Sequence, residues 1–246
     1  MSLLSKLLFP PRCAACGVLL DWYAVKETDA LCRTCLAEWE SAKTVTCSIC
    51  GERVTQCDCV TDEMKKAKCQ AFRKLTYYHG GTRDRVQNRV IFHIKESRDI
   101  RTIRFLTSEM KDAVSKMISE SLGETVVTYA PRGRAARLKY GTDQGEQLAK
   151  SLARVCTVPC RRLIKRARRR DPEQKDLSVT ARKRNAKEAF ALVRGVDLSG
   201  KQVILVDDIV TTGNTTSACA RLLRRAGAQS VICVAVASDD VNREIT

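Results

Sequence analysis

Residues 203–215 read Val-Ile-Leu-Val-Asp-Asp-Ile-Val-Thr-Thr-Gly-Asn-Thr, and this stretch limits the fold of the 246-residue chain more tightly than any other. Four consecutive apolar residues are too few for a buried helix, and they stop at two carboxylates. A central parallel strand behaves this way when it delivers its end into a crevice. Asp207 and Asp208 are therefore expected at the carboxyl edge of a sheet. After Ile209 and Val210 the chain turns through Thr211, Thr212, Gly213, Asn214 and Thr215, and a helical pattern follows over 216–225.

Small hydroxyl residues around one glycine, opening a helix, aim backbone N–H and Oγ donors at a single point, with the positive end of the helix dipole behind them. That is a cradle for one phosphate. Two acids would repel the phosphate, but they accept hydrogen bonds from vicinal sugar hydroxyls, directly or through a divalent ion. Acids followed by a phosphate loop thus suit a ribose 5-phosphate. The alternative is a doubly wound strand with a solvated acidic end and a capped helix. The thirteen residues resemble the signature of type I phosphoribosyltransferases that binds phosphoribosyl pyrophosphate (PRPP): four apolar positions, two acids, two apolar positions, then Thr-Thr-Gly-x-Thr. The resemblance implies Mg2+ with PRPP, the phosphate on Thr211, Thr212, Gly213, Asn214 and Thr215, and the sugar oriented by Asp207 and Asp208.

Length and composition allow one α/β domain of ordinary size plus a small appendage, with 44% hydrophobic residues for the core. Lys and Arg number 44 against 28 Asp and Glu, a formal charge of +16. Two four-thiolate zinc sites, each carrying −2 with its ion, would bring this to roughly +12. Such a balance favours anionic partners, either phosphorylated small molecules or nucleic acid. No small-residue cleavage site follows residues 1–9, and no run approaches about 18 apolar residues, so no membrane span and a cytoplasmic location are expected.

Thirteen cysteines fit a reducing compartment if most are metal ligands. Cys13 with Cys16 and Cys32 with Cys35 form two Cys-x-x-Cys pairs, and Cys47 with Cys50, followed by Gly51, leads to Cys57 and Cys59. A Cys-x-x-Cys turn brings two thiolates to one tetrahedral ion, and a glycine after the second Cys relieves the tight knuckle. About two structural zinc ions are expected. Cys57 and Cys59 are closer in sequence than the usual knuckle, and Cys69 could replace either. A closed four-thiolate site has no open coordination position, so these sulfurs are assigned to holding a small segment together rather than to catalysis. The zinc segment is placed at 1–69 and a second domain at 70–246.

Along that second domain, 70–79 reads as a strand and 84–96 as a helix with Val86, Val90, Ile91 and Ile94 on one face. A helix over 100–119, a strand over 125–130 and a helix over 142–155, capped by Thr142 or Asp143, follow. His79 and His93 have no partner motif and are read as structural or exposed. Residues 131–134, Pro-Arg-Gly-Arg, stand at a strand's carboxyl end, where a basic turn holds a second anion. The chain continues with a helix over 179–187, the Ala189–Leu192 segment, the central strand, Gly227 ending the next helix, and a strand over 231–236. Alternating strands and helices mean a parallel sheet with helices on both faces. Cys156, Cys160, Cys219 and Cys233 lack ligand context and are read as small core residues.

The densest charge lies at 161–175, with Arg161, Arg162, Lys165, Arg166, Arg168, Arg169, Arg170 and Lys175 around Pro172. Such a run is either a solvated or nucleic-acid-facing surface, or a lid that closes over a polyphosphate and brings charge to the leaving group.

Taken in order, these parts resemble the competence protein ComF family, a cysteine-rich double zinc ribbon followed by a type I phosphoribosyltransferase-like domain. Gln174 and Leu177, Arg182 and Asn185, and Ala189-Phe190 match the family's Gln-x-x-Leu, Arg-x-x-Asn and Ala-Phe in order and spacing. Two places depart. Where the family has Pro-Val-Pro this chain reads Tyr129-Ala130-Pro131, and where it has Arg-Gly-Phe-Asn-Gln this chain has Tyr140, Gly141, Thr142, Asp143 and Gln144. The resemblance implies attack of a nucleophile on the ribose C1 as pyrophosphate leaves, with Arg132 and Arg168, Arg169 or Lys175 on the leaving group. Aromatics are 5%, and no stretch announces an acceptor pocket. A function of a different class fits the charge and the family name: an accessory protein that handles single-stranded DNA beside an uptake helicase.

Overall fold

The computed structural model describes residues 9–21, 26, 28–80, 82–97, 99–121, 123–133, 141, 143–167 and 189–239. The described residues of the N-terminal segment hold two short helices, α1 (Arg33–Lys43) and α2 (Asp62–Lys66). Strand β1 (Ala71–Tyr78) comes next, then α3 (Val86–Glu96), α4 (Ile100–Ser119), β2 (Thr125–Tyr129) and α5 (Gln144–Val155). The chain continues through β3 (Ile164–Arg166), β4 (Phe190–Leu192), β5 (Gln202–Val210), α6 (Asn214–Arg225) and β6 (Ser230–Asp239).

Four strands form one sheet in the order β1-β6-β5-β2, and every pair is parallel. β5 lies inside the sheet because Val203 to Val206 form an unbroken apolar run. Ile204 and Val206 enter one core with Val127, Val234 and the α3–α5 helices, while Val203 and Leu205 enter the other with Val126, Cys233 and α6. A strand buried on both faces reads as a continuous apolar run, because successive side chains alternate between two cores. In α4, Ile103, Leu106, Met110 and Val114 are buried at helical spacing, and Asp99 caps the helix by accepting from the Arg101 N–H at 3.0 Å.

Several boundaries shift for identifiable reasons. The helix expected from 84 starts at Val86, and the one expected from 142 starts at Gln144, because Asp143 is its cap and accepts from the Glu146 N–H at 3.3 Å. The phosphate-loop helix begins at Asn214 rather than 216, since Gly213 takes a left-handed φ of 74° and starts the helix immediately. The basic run opens as ordered structure: Ile164–Arg166 pairs antiparallel with Phe190–Leu192, and Leu163 and Ile164 are buried. Arg168, Arg169, Lys175, the Gln174 and Leu177 motif, and the 179–187 helix with Arg182 and Asn185 lie outside the described residues. Cys219 and Cys233 are core residues as expected, whereas Cys156 and Cys160 are only half-buried. His93 has a structural role, with Nε2 3.2 Å from Asp99 Oδ2. Among the described residues no helix is long and apolar enough to cross a membrane.

Candidate functional site

The carboxyl ends of β2 and β5, together with the start of α6, surround a pocket of about 240 Å3. Its lining combines Ala130, Pro131 and Arg132 after β2, Arg166 at the end of β3, and the continuous stretch from Asp207 to Thr216. On one side Gly213 is the N-cap of α6 and has no side chain with which to cap it. The first N–H groups of a helix have no partner inside it, so α6 presents donors, together with Thr211, Thr212 and Thr215, to whatever enters. On the other side stand the two acids. The loop and the acids therefore share one cavity, as the sequence pattern requires.

The acids are not equivalent. Asp208 is buried and its Oδ2 accepts from the Arg132 guanidinium at 2.5 Å, with the Lys95 ammonium 3.9 Å away. Asp207 has its carboxyl pKa raised well above the usual range, first by burial and then by the negative charge of Asp208, which Arg132 only partly offsets. Its Oδ1 accepts from the Asp208 backbone N–H at 2.9 Å. The 131–133 turn is fixed from α5: Asp143 accepts from the Arg132 N–H at 2.9 Å with one oxygen while capping the helix with the other. The family's Asn is thus an Asp here with two backbone partners. Arg166 donates from Nε to the Pro131 carbonyl at 3.0 Å and lies 4.3 Å above the Phe190 ring centroid, which holds an exposed guanidinium at the pocket wall.

Of the residues expected at the site, Arg132, Asp207, Asp208 and 211–215 come together. Two cations were not anticipated, Lys95 and Arg166. Lys95 sits in the last turn of α3, where its spacing reads as a solvated position, and Gln144 donates from Nε2 to its carbonyl at 3.3 Å. Arg166 was one basic residue among eight, and the Phe190 stacking that distinguishes it depends on a strand pairing 24 residues away in sequence.

The cysteines form two clusters, Cys13, Cys16, Cys32, Cys35 and Cys47, Cys50, Cys57, Cys59, with the sulfurs of each within 4.8 Å of one another. Four sulfurs about 2.3 Å from a tetrahedral zinc lie about 3.8 Å apart, so both sets fit the ion. Gly17 and Gly51, with φ of 75° and 74°, follow the second Cys of their knuckles and donate to the carbonyls of Cys13 and Cys47. Burial would raise the Cys13 and Cys47 thiols, but knuckle N–H donors outweigh it, from Cys32, Cys16 and Ala15 in one case and Cys50 and Ile49 in the other. They lower the two pKa values to about 7 and about 6. Each cluster therefore holds a thiol ready to ionise for a metal. Cys69 belongs to neither cluster; it is buried with its sulfur 3.7 Å from that of Cys233.

A family model for the double zinc ribbon domain matches residues 4–72, and one for the phosphoribosyl transferase domain matches residues 142–244. Competence protein F of Haemophilus influenzae is 33% identical over 94 residues, which cover 38% of this chain and 41% of that protein. DNA utilization protein YhgH of Escherichia coli is 47% identical over 55 residues, covering 22% and 23%. The chain therefore spans less than half the length of these curated relatives. Among solved structures, adenine phosphoribosyltransferase from Leishmania tarentolae superposes with a TM-score of 0.38 and 15% identity, covering 63% of this chain and 77% of that one. Sheet, pocket and clustered cysteines define a protein with a phosphoribosyltransferase-type α/β domain and an N-terminal zinc-ribbon segment with structural metal sites. In the segments it shares with them, the chain is similar to competence protein F and YhgH, and its two matched domains stand in the order expected of the ComF family.

Proposed function

We propose that the pocket binds PRPP with Mg2+ and transfers its phosphoribosyl group to an acceptor nucleophile. What carries this is one juxtaposition: uncapped N–H groups of α6 and a threonine-rich loop on one wall, and Asp207 with Asp208 on the other, around a single 240 Å3 cavity. The loop would take the 5-phosphate, and the acids would accept hydrogen bonds from the ribose hydroxyls. Two carboxylates at one strand end, one with its pKa raised by burial and by the charge of the other, fit a hard divalent ion with oxygen ligands. When bound, Mg2+ would neutralise charge on the pyrophosphate.

In the reaction, the bond from C1 to the pyrophosphate oxygen breaks with its electron pair leaving on pyrophosphate. The acceptor's lone pair closes on C1, through a transition state of oxocarbenium character. Arg132 is held by Asp208 before ligand enters. Sugar hydroxyls arriving at Asp208 would compete for that carboxylate and free the guanidinium to follow the leaving group. Arg166 lines the same pocket beside the 131–132 turn, and Arg168, Arg169 and Lys175, which continue its run, are assigned the remaining charge stabilisation. We assign residues 1–69, with two structural zinc ions, to the ribbon segment and 70–246 to the transferase-like domain. Calorimetric titration of zinc-loaded protein with Mg2+ and PRPP should give saturable binding that Asp207→Asn with Asp208→Asn abolishes; a wild type that binds nothing rejects the proposal.

A second function has its own support. The relatives carry the names competence protein and DNA utilization protein, and Arg161, Arg162 and Lys165 are exposed in the segment that leads to Arg166. Handling of single-stranded DNA beside a helicase would give affinity that collapses steeply with salt and ignores Asp207 and Asp208. No aromatic side chains alternate with these basic residues as a stacking platform requires, which favours the PRPP site.

A further inference from the structure

The second cysteine cluster ends at Cys59, and two residues later Thr61 caps α2, its Oγ accepting from the Met64 N–H at 3.3 Å. Directly against this cap lies Gly213. A Cβ on Gly213 would stand 2.5 Å from Thr61 Oγ and 3.3 Å from Met64 Cγ, so the apex of the phosphate loop has no room for a side chain. Met64 is itself completely buried, in the same core as Ala218, Cys219 and Leu223 of α6. The helix whose N-terminus opens on the pocket is therefore packed against the end of the second ribbon.

The other side of that ribbon is gripped by the sheet. Lys74 on β1 donates to Cys57 Sγ at 3.2 Å, the Arg73 guanidinium donates to the Gln56 carbonyl at 2.6 Å, and the Phe72 N–H donates to the Asp58 carbonyl at 3.3 Å. The first ribbon is anchored elsewhere: Cys13 and Cys35 lie with Trp39 in the core on the opposite face of the sheet, where Trp39 meets Phe105 at 5.5 Å.

We propose that the second metal site, and not the first, positions the phosphate loop, so that metal occupancy at Cys47, Cys50, Cys57 and Cys59 and ribose-phosphate binding at 211–215 are thermodynamically linked. This rests on the assignment of that loop as a phosphate site. A metal that orders the 57–61 turn fixes the surface on which Gly213 rests. An anion that orders the loop fixes the same surface from the other side, and such coupling is reciprocal.

The probe is ribose 5-phosphate, added to the full-length zinc-loaded chain while zinc affinity is measured by chelator competition. The two sites are distinguished by a Cys59→Ser variant, in which only the first remains closed. Saturating ribose 5-phosphate is expected to tighten zinc at the second site about tenfold and leave the first unchanged. Calorimetry on Cys59→Ser is expected to show ribose 5-phosphate weakened by a similar factor. Thr61→Ala, which removes the atom Gly213 rests on, is expected to shrink the effect with both zinc ions retained. Ribose 5-phosphate that binds the wild type while both zinc affinities stay unmoved overturns the linkage and leaves the phosphate site standing. Ribose 5-phosphate that fails to bind at all overturns both.

Discussion

Lys74→Met tests whether the buried lysine of β1 holds the second metal site. Its side chain is almost wholly buried, at 3% exposure, with Nζ 3.2 Å from Cys57 Sγ and 5.0 Å above the Phe72 ring. Methionine keeps the length and the apolar packing and removes only the charge and the donor. A zinc ion with four thiolates carries −2, so the lost contact is a hydrogen bond to a charged group, about 1.5–3 kcal/mol. At about 1.4 kcal/mol per decade this weakens zinc at the second site about 10–100-fold, the range typical of outer-shell partners of metal ligands. The metal-free protein should respond much less, because burial raises the Cys57 thiol and Lys74 then donates to an uncharged sulfur, a contact worth about 0.5–1.5 kcal/mol. Chelator competition and thermal melts with and without zinc read the two effects separately. Two zinc ions held as tightly as in the wild type would refute the reasoning, and so would equal weakening at both clusters.

Three further substitutions probe the pocket and its supports. Gly213→Ala forces a side chain into a left-handed φ of 74°, at about 1–2 kcal/mol, and drives its Cβ against Thr61 Oγ. Urea denaturation of a cycle with Thr61→Ala should show positive coupling, and strict additivity would mean the loop does not rest on Thr61. Asp207→Asn should raise the melting temperature of the ligand-free protein at neutral pH while removing ligand binding. The raised carboxyl pKa means that ionising Asp207 opposes folding at high pH, so the advantage should begin to shrink as pH falls below the folded pKa and be gone below the unfolded value of about 3.9; a variant less stable than wild type at neutral pH contradicts it. At Asp99, burial is outweighed by hydrogen bonds from His93 and Thr102 and the charge of Arg101, and the pKa lies below the ordinary carboxylate range. The stability this supplies is fully present above the unfolded pKa of about 3.9 and is lost as pH falls through the folded one. Melts below about pH 4 should therefore fall less steeply in Asp99→Asn than in wild type.

The parts of this protein written in near neighbours were legible from the chain alone. The apolar period of α4 gave both of its ends, because i, i+3 and i+4 contacts repeat without reference to the rest of the fold. The knuckles of Cys13 and Cys47 were legible for the same reason, since a four-residue turn brings both thiolates together whatever surrounds it. So was the acid pair followed by a phosphate loop, because a strand end and the next helix start are one continuous stretch.

What required tertiary structure joins residues far apart. β1 lies beside β6, Cys69 meets Cys233 rather than the second cluster, and Arg132 is held by an acid 76 residues away. Lys74 and Lys95 look like solvent-facing positions of a strand and a helix until the ribbon and Asp208 are brought against them. Sequence spacing sets which side chains share a face, but the charge or thiolate opposite that face is supplied by another element. A lysine's role is therefore decided only when long-range packing removes its water and leaves a single partner within reach.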